Sequence, residues 1–280
     1  MRGMEKKNTL FFGAILTLGF YGNIFANESY INNQEVFKNK GNWFITADAG
    51  AIWPNFNNIS LVTNGVSSSQ YSNINILSQR TDNIKSMLDL SLGYKWQLES
   101  NFIKALGFGL RYEYIFLDSI KGDVIDDKLL LSNNYVYNWR LNSSVLSFFS
   151  KVNIFKYKQL MPYINAGLGA SFNNASGYEI KSLGLTAPGV KPLVLLAPAS
   201  DQGLSPYSQT QFSYNVGAGF DILLSGNFVM NLGYEYIYLG NFRSGKGEAT
   251  LLETYLNTDK ASAHTLLIGI TYLFDGAKRA

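Results

Sequence analysis

The sequence predicts an all-β fold, an eight-stranded antiparallel up-and-down barrel that crosses a membrane with its strands. Three observations predict it. Eight segments show period-2 alternation, with Leu, Ile, Val, Phe, Tyr and Trp on one face and Gly, Ser, Thr, Asn and a few charges on the other. The glycines at 50, 93, 107, 109, 167, 169, 217, 219, 233 and 269 all take the polar face. The connections alternate long and short, so antiparallel neighbours gather every long loop at one end and every tight turn at the other.

Residues 1–26 read as an export signal. Arg2, Lys6 and Lys7 precede an apolar stretch from Thr9 to Phe20, and Ala26 is a small residue suited to cleavage. A polar tail follows over 27–41, and the barrel is expected over 42–274. Strand 1 places Trp43, Ile45, Ala47, Ala49, Ala51 and Trp53 opposite Phe44, Thr46, Asp48 and Gly50, and Pro54 is expected to end it. After a polar connection, 55–84, strand 2 sets Leu88, Leu90, Leu92, Tyr94 and Trp96 against Met87, Asp89, Ser91, Gly93 and Lys95. A tight turn at 99–101 leads to strand 3, where Leu106, Phe108, Leu110, Tyr112, Tyr114 and Phe116 oppose Gly107, Gly109, Arg111 and Glu113.

Residues 117–139 read as a second long connection. Strand 4 has Leu146, Phe148, Val152 and Ile154 against Ser147, Phe149, Lys151 and Asn153. A turn near 156–161 precedes strand 5, with Ile164, Ala166, Leu168, Ala170 and Phe172 on the apolar face. The longest connection, 173–209, contains Pro188, Pro192, Pro198 and Pro206. Strand 6 (Phe212 to Ile222) turns at 225–227 into strand 7 (Phe228 to Tyr238). A last long connection, 240–261, holds a candidate short amphipathic helix over 248–256. Strand 8 runs from His264 to Phe274, and 275–280 forms a short tail.

Alternation alone does not say which face is inside. Aromatic residues cap the apolar face at both ends, with Trp43, Trp96, Tyr272 and Phe274 at the turn end and Trp53, Tyr114, Tyr214, Tyr236 and Tyr238 at the loop end. Two such belts suit amphipathic rings seated at two membrane surfaces. Charged residues make up 15% of the chain, below the roughly 25% of soluble domains. A glycine-rich face fits a narrow lumen rather than a solvated exterior. The apolar face therefore meets lipid.

With its loop asymmetry and closing strand LLIGITYLF (266–274), the segment from Asn42 to Phe274 resembles the eight-stranded bacterial outer-membrane β-barrel proteins. That group includes the OmpA-type transmembrane domain and the opacity-type surface proteins. The resemblance is architectural and rests on no single motif. It implies outer-membrane residence with outer-membrane lipid and lipopolysaccharide as surroundings.

The chain has no Cys and one His, which excludes thiol chemistry and multi-histidine metal sites, and its net charge of +3 points to no nucleic-acid partner. The lumen charges Asp48, Asp89, Lys95, Arg111, Glu113, Lys151, Asp221 and Glu235 are expected to form an ion-pair network filling the barrel, since a buried charge requires a partner. A narrow polar pore for small solutes is the alternative. The Gly-x-Gly pairs lie inside strands and open no helix, so they are not phosphate loops. Ser262 and His264 sit on the lipid side in the reverse order of the His-x-Ser pattern of lipid A deacylases, and no third orienting group stands out. Asp126, Asp127 and Asp201 read as solvated loop charges rather than a protease site. The run Leu193, Val194, Leu195 and Leu196 between prolines is a candidate loop contact patch. The expected function is that of a non-enzymatic surface protein, structural or adhesin-like, needing no cofactor and meeting a host or surface ligand through its loops.

Overall fold

In the computed structural model, residues 41–64, 74–75, 78–79, 84–98, 100, 102–124, 135–182, 204–224, 227–246 and 253–274 are described. The expected signal, most of the polar tail, the C-terminal tail, Asp126, Asp127, Asp201 and the candidate patch at 193–196 lie outside them. The eight long strands are β1 (Gly41–Asn64), β4 (Lys85–Gln97), β5 (Ala105–Val124), β6 (Tyr135–Asn153), β7 (Leu160–Ser182), β8 (Tyr207–Leu223), β9 (Phe228–Gly240) and β10 (Glu253–Leu273). Two-residue strands β2 (Ile74–Asn75) and β3 (Ser78–Gln79) pair with β1 and β5. Each long strand pairs antiparallel with the next, and β10 pairs with β1 to close the ring. Closure leaves no sheet edge in the wall, the condition for backbone to cross lipid.

Side chains alternate across this wall as the sequence predicts. Trp43, Leu88, Leu90, Leu92, Leu110, Phe148, Leu168, Val216 and Ile270 point outward and exposed, while Phe44, Asp89, Arg111, Phe149, Asn165 and Asp221 are buried inside. Trp43, Trp96 and Phe274 are exposed at the turn end, and Trp53 and Tyr214 at the loop end, with Tyr114, Tyr236, Tyr238 and Tyr272 half-buried among neighbours. Near the turns the rings meet edge to face: Trp43 to Tyr94 at 5.4 Å, Tyr94 to Trp96 at 4.7 Å and Trp96 to Phe108 at 5.8 Å between centroids. At the loop end Tyr214 stacks on Tyr238 at 5.1 Å.

The strands run further than the sequence suggests, and several assignments need correction. Pro54 does not end β1. It pairs across from Ala263, and β1 continues to Asn64 beside β10. The β4 partnership stops at Ile52, so the proline falls where one side of the strand lacks a full neighbour, the edge setting that tolerates a missing donor. The connection expected over 117–139 is strand at both ends, because β5 and β6 pair up to Val124 and Tyr135. Strand β7 likewise extends to Ser182 and begins early enough to include Pro162, opposite Phe220. Residues 253–256 are strand rather than helix, pairing Leu256 with Leu61. Together these extensions build a β-walled crown beyond the loop-end belt.

Bulges mark the passage from membrane span to crown. Register shifts lie between Ile115 and Asp118, between Asn138 and Arg140, and between Ala261 and Ser262. Asp118 adopts φ 52°, a left-handed conformation that the extra residue of a bulge brings about.

Candidate functional site: the barrel lumen

The barrel interior has three layers. The middle one is polar and centres on Arg111, which β5 presents with 7% of its surface exposed. Its Nη1 donates to Glu235 of β9 at 2.8 and 3.0 Å, and its Nε lies 3.0 Å from Asp89 of β4. Glu113, two residues along β5, stands 3.8 Å from the same Nη1. Asn165 of β7 donates to Glu235 at 2.6 Å. Charge-assisted bonds of this kind are short and strong, and the planar guanidinium suits several carboxylates at once.

A second group lies nearer the turns. Asp221 of β8 accepts from Lys151 of β6 at 2.5 Å and from Asn153 at 2.9 Å, with Lys95 of β4 at 3.5 Å. Lys151 also rests 3.8 Å above the Tyr163 ring. Asp48 of β1 joins a third chain, in which Asn231 reaches it at 3.4 Å and Thr271 at 2.9 Å, and Thr271 meets Thr46 at 2.7 Å. All eight predicted lumen charges thus face inward. Seven take part in ion pairs within two clusters, Arg111–Asp89–Glu113–Glu235 and Lys95–Lys151–Asp221, and Asp48 sits beside them through Asn231.

Register explains the crowding of acids. Asp48 is cross-strand neighbour to Asp89, and Asp89 to Glu113, so three carboxylates stand in a row over β1, β4 and β5. Like charges directly opposite repel. Arg111 sits one step toward the turn end from Glu113 and faces this row.

Tyr163 fills the barrel beside these clusters, and glycines make its room. A Cβ at Gly219 would lie 2.6 Å from the Tyr163 hydroxyl oxygen. At Gly93 it would lie 2.6 Å from Phe44 Cζ. Tyr163 and Phe44 are the cross-strand neighbours of these two glycines, which leave room for the adjacent ring, whereas at Gly109 and Gly169 the nearest atoms are the backbone of the adjoining strand.

Apolar layers lie above and below. Toward the turns, Phe44, Phe149, Val229 and Leu273 cluster, with the Arg111 guanidinium 4.9 Å over the Phe149 ring. Toward the loops, a larger cluster fills the crown, with Ile52, Met87, Ile115, Trp139, Leu141, Ile237, Phe242 and Leu256 fully buried. Phe56 meets Phe242 edge-on at 5.6 Å. The space left in the polar layer is a cavity of about 40 Å³, lined among others by Asp48, Lys95, Arg111, Lys151 and Asp221. That volume holds a few water molecules.

The apolar crown core is what sequence reasoning missed. Its signal was present in inward-phase Ile52, Met87, Ile115 and Ile237, whose apolar character departs from the polar inner face below them.

On the outer wall, the Tyr234 hydroxyl and His264 Nδ1 are 2.6 Å apart, and the rings stack at 5.9 Å between centroids. The structure therefore pairs His264 with a tyrosine, and no hydrogen bond joins it to Ser262 among the described residues.

No family model and no curated protein matches this sequence. Among solved structures, the chain is similar to the outer membrane protein OprG from Pseudomonas aeruginosa, at 13% identity over 85% of this chain and 98% of that one, TM-score 0.42. It is also similar to Ail, the attachment invasion locus protein of Yersinia pestis, at 13% identity over 84% of this chain and 99% of that one, TM-score 0.35. A third is the outer membrane protease OmpT from Escherichia coli, at 8% identity over 85% of this chain and 97% of that one, TM-score 0.42. An attachment protein and a protease stand side by side here, so the likeness singles out no activity.

Proposed function

We propose that this chain is a bacterial outer-membrane surface protein, exported through a cleaved signal, with a plugged barrel as anchor and its loop-end crown and loops as contact surface. The observation that carries this is the three-layered interior. A polar network with a cavity of about 40 Å³ lies between two apolar clusters, which suits a wall that holds its shape better than a conduit. The crown then raises the loops clear of the lipid belt on a paired β-wall. An adhesin-like or structural role follows, with the ligand met outside the barrel. Residues 185–200, which include the apolar run at 193–196, are the first segment to remove. Deletion is expected to leave heat-modifiable folding intact and to abolish attachment of displaying cells to host cells or matrix. Unchanged attachment would count against this contact surface.

A narrow channel for small solutes is the second reading, favoured by the lysines and arginine that line the central cavity. It requires conductance that changes when Arg111 or Lys151 is neutralised. A lipid A hydrolase is the least supported reading. It requires His264 and a serine nucleophile to act together, and loss of lipid A turnover in His264→Ala would be its signature. We take the protein to be no enzyme.

A further inference from the structure

We propose that Arg243, held between two tyrosines on the outer wall of the crown, is a recognition point for an acidic polysaccharide. The proposal rests on the contact-surface reading above and names one place on it. Past Gly240, which bends at φ 79°, the chain leaves β9 and runs beside β10. Phe242 and Ser244 turn inward and are buried, which leaves Arg243 facing out. Its backbone is pinned on both sides. Phe242 N donates to Thr258 Oγ1 at 2.8 Å, Thr258 N to Phe242 O at 2.8 Å, Ser244 N to Leu256 O at 2.9 Å and Leu256 N to Ser244 Oγ at 2.8 Å. One residue earlier, the Asn241 carbonyl accepts from Gln209 at 2.6 Å and from Asn173 at 2.8 Å.

On this rigid platform the guanidinium carbon lies 3.7 Å from the Tyr255 ring centroid and 5.5 Å from that of Tyr207. Stacking fixes the plane of the fork and removes much of the entropy that an arginine loses on binding. Nε is buried without a hydrogen-bond partner, and no carboxylate pairs with this guanidinium among the described residues. A clamped cation with no counter-charge among the described residues is preformed for a planar anion, to which a guanidinium donates two parallel hydrogen bonds. The neighbouring rings select the rest of the ligand. Tyr207 is exposed and Tyr255 half-buried, so their faces and edges offer apolar surface to a sugar ring beside the bound anion. The site lies on β10 well beyond His264 of the aromatic belt, and so faces the medium rather than lipid.

The test uses the full mature chain refolded in detergent, with folding of every variant checked by heat-modifiable mobility. Alginate (carboxylate) and dextran sulfate (sulfate) are titrated by calorimetry, with neutral dextran as control. The expected result is binding to at least one acidic polymer and none to dextran, with affinity weakened at least about tenfold in Arg243→Gln, the scale of a charge-assisted hydrogen bond. Arg243→Lys, which keeps the charge and loses the fork, and Tyr255→Leu, which frees the guanidinium, should also bind more weakly. Equal affinity in wild type and Arg243→Lys would overturn the proposal, since simple charge would then suffice. Absence of polymer binding by the wild type would overturn it as well. Cells displaying the Arg243→Gln variant separate this from the broader reading. If wild type and variant attach to matrix equally, the Arg243 site fails and the contact-surface role stands. If wild type does not attach, the contact-surface role itself fails.

Discussion

Replacing Arg111 by Met isolates the cation on which the upper polar cluster depends. Met fills much of the same volume, so lost packing contributes little. Glu235 would lose its 2.8 and 3.0 Å bonds, Asp89 its 3.0 Å contact and Glu113 its 3.8 Å neighbour. Three carboxylates would then share a closed layer with Asp48 and no guanidinium. Removing one partner of a buried ion pair costs about 3–5 kcal/mol, because it strands the other charge. Here more than one acid is stranded, and Glu113 is fully buried, so the upper part of that range is expected. Urea unfolding in lipid vesicles, followed by tryptophan fluorescence and gel mobility, measures it. Glu235→Gln in the same background should restore part of the loss by removing one of the repelling charges, whereas Glu235→Gln alone should cost less than Arg111→Met. A loss under about 1 kcal/mol in Arg111→Met would refute the reasoning, because exposed ion pairs contribute no more than that.

Other perturbations test the remaining layers. Gly233→Ala places a methyl against the Tyr163 hydroxyl, with its next neighbours at 3.6 and 3.9 Å, and should destabilise by about 1–3 kcal/mol, with Tyr163→Phe recovering part of it in a double variant. Trp139→Ala empties the crown core and should cost about 3–5 kcal/mol, together with faster proteolysis of the loop-end segments in intact vesicles. Leu92→Arg puts a charge on the lipid face at a residue that is 52% exposed in the protein alone, and should cost about 2–4 kcal/mol of stability in bilayers.

Eight strands, their inward face and the alternation of long and short connections could all be read from the sequence, because one lipid-facing surface and one crowded surface impose a strict period of two. The lumen charges could be identified for the same reason. Their partners could not. Arg111 meets Glu235 across 124 positions of sequence, and Asp48, Asp89 and Glu113 become neighbours only once register is set. The crown was hidden by two effects. Bulges near Ile115, Asn138 and Ala261 break the alternation that marks a strand. Beyond them the outer face is solvated and the inner face apolar, so the polarity on which the reading rests is reversed. Trp139 and Leu117 therefore read as loop, although both lie in the core. Arg243 had no sequence signal, since its value lies in rings contributed by β8 and β10.

The central claim is that this barrel is closed. Recording from the refolded mature protein in a planar bilayer, with folding confirmed by heat-modifiable mobility, tests it most directly. Silence is predicted for the wild type, because the central cavity holds only about 40 Å³ among the paired charges and apolar clusters line the lumen toward both ends. Discrete, ion-selective openings whose size changes in Arg111→Gln or Lys151→Gln would contradict it and establish the lumen as a pore.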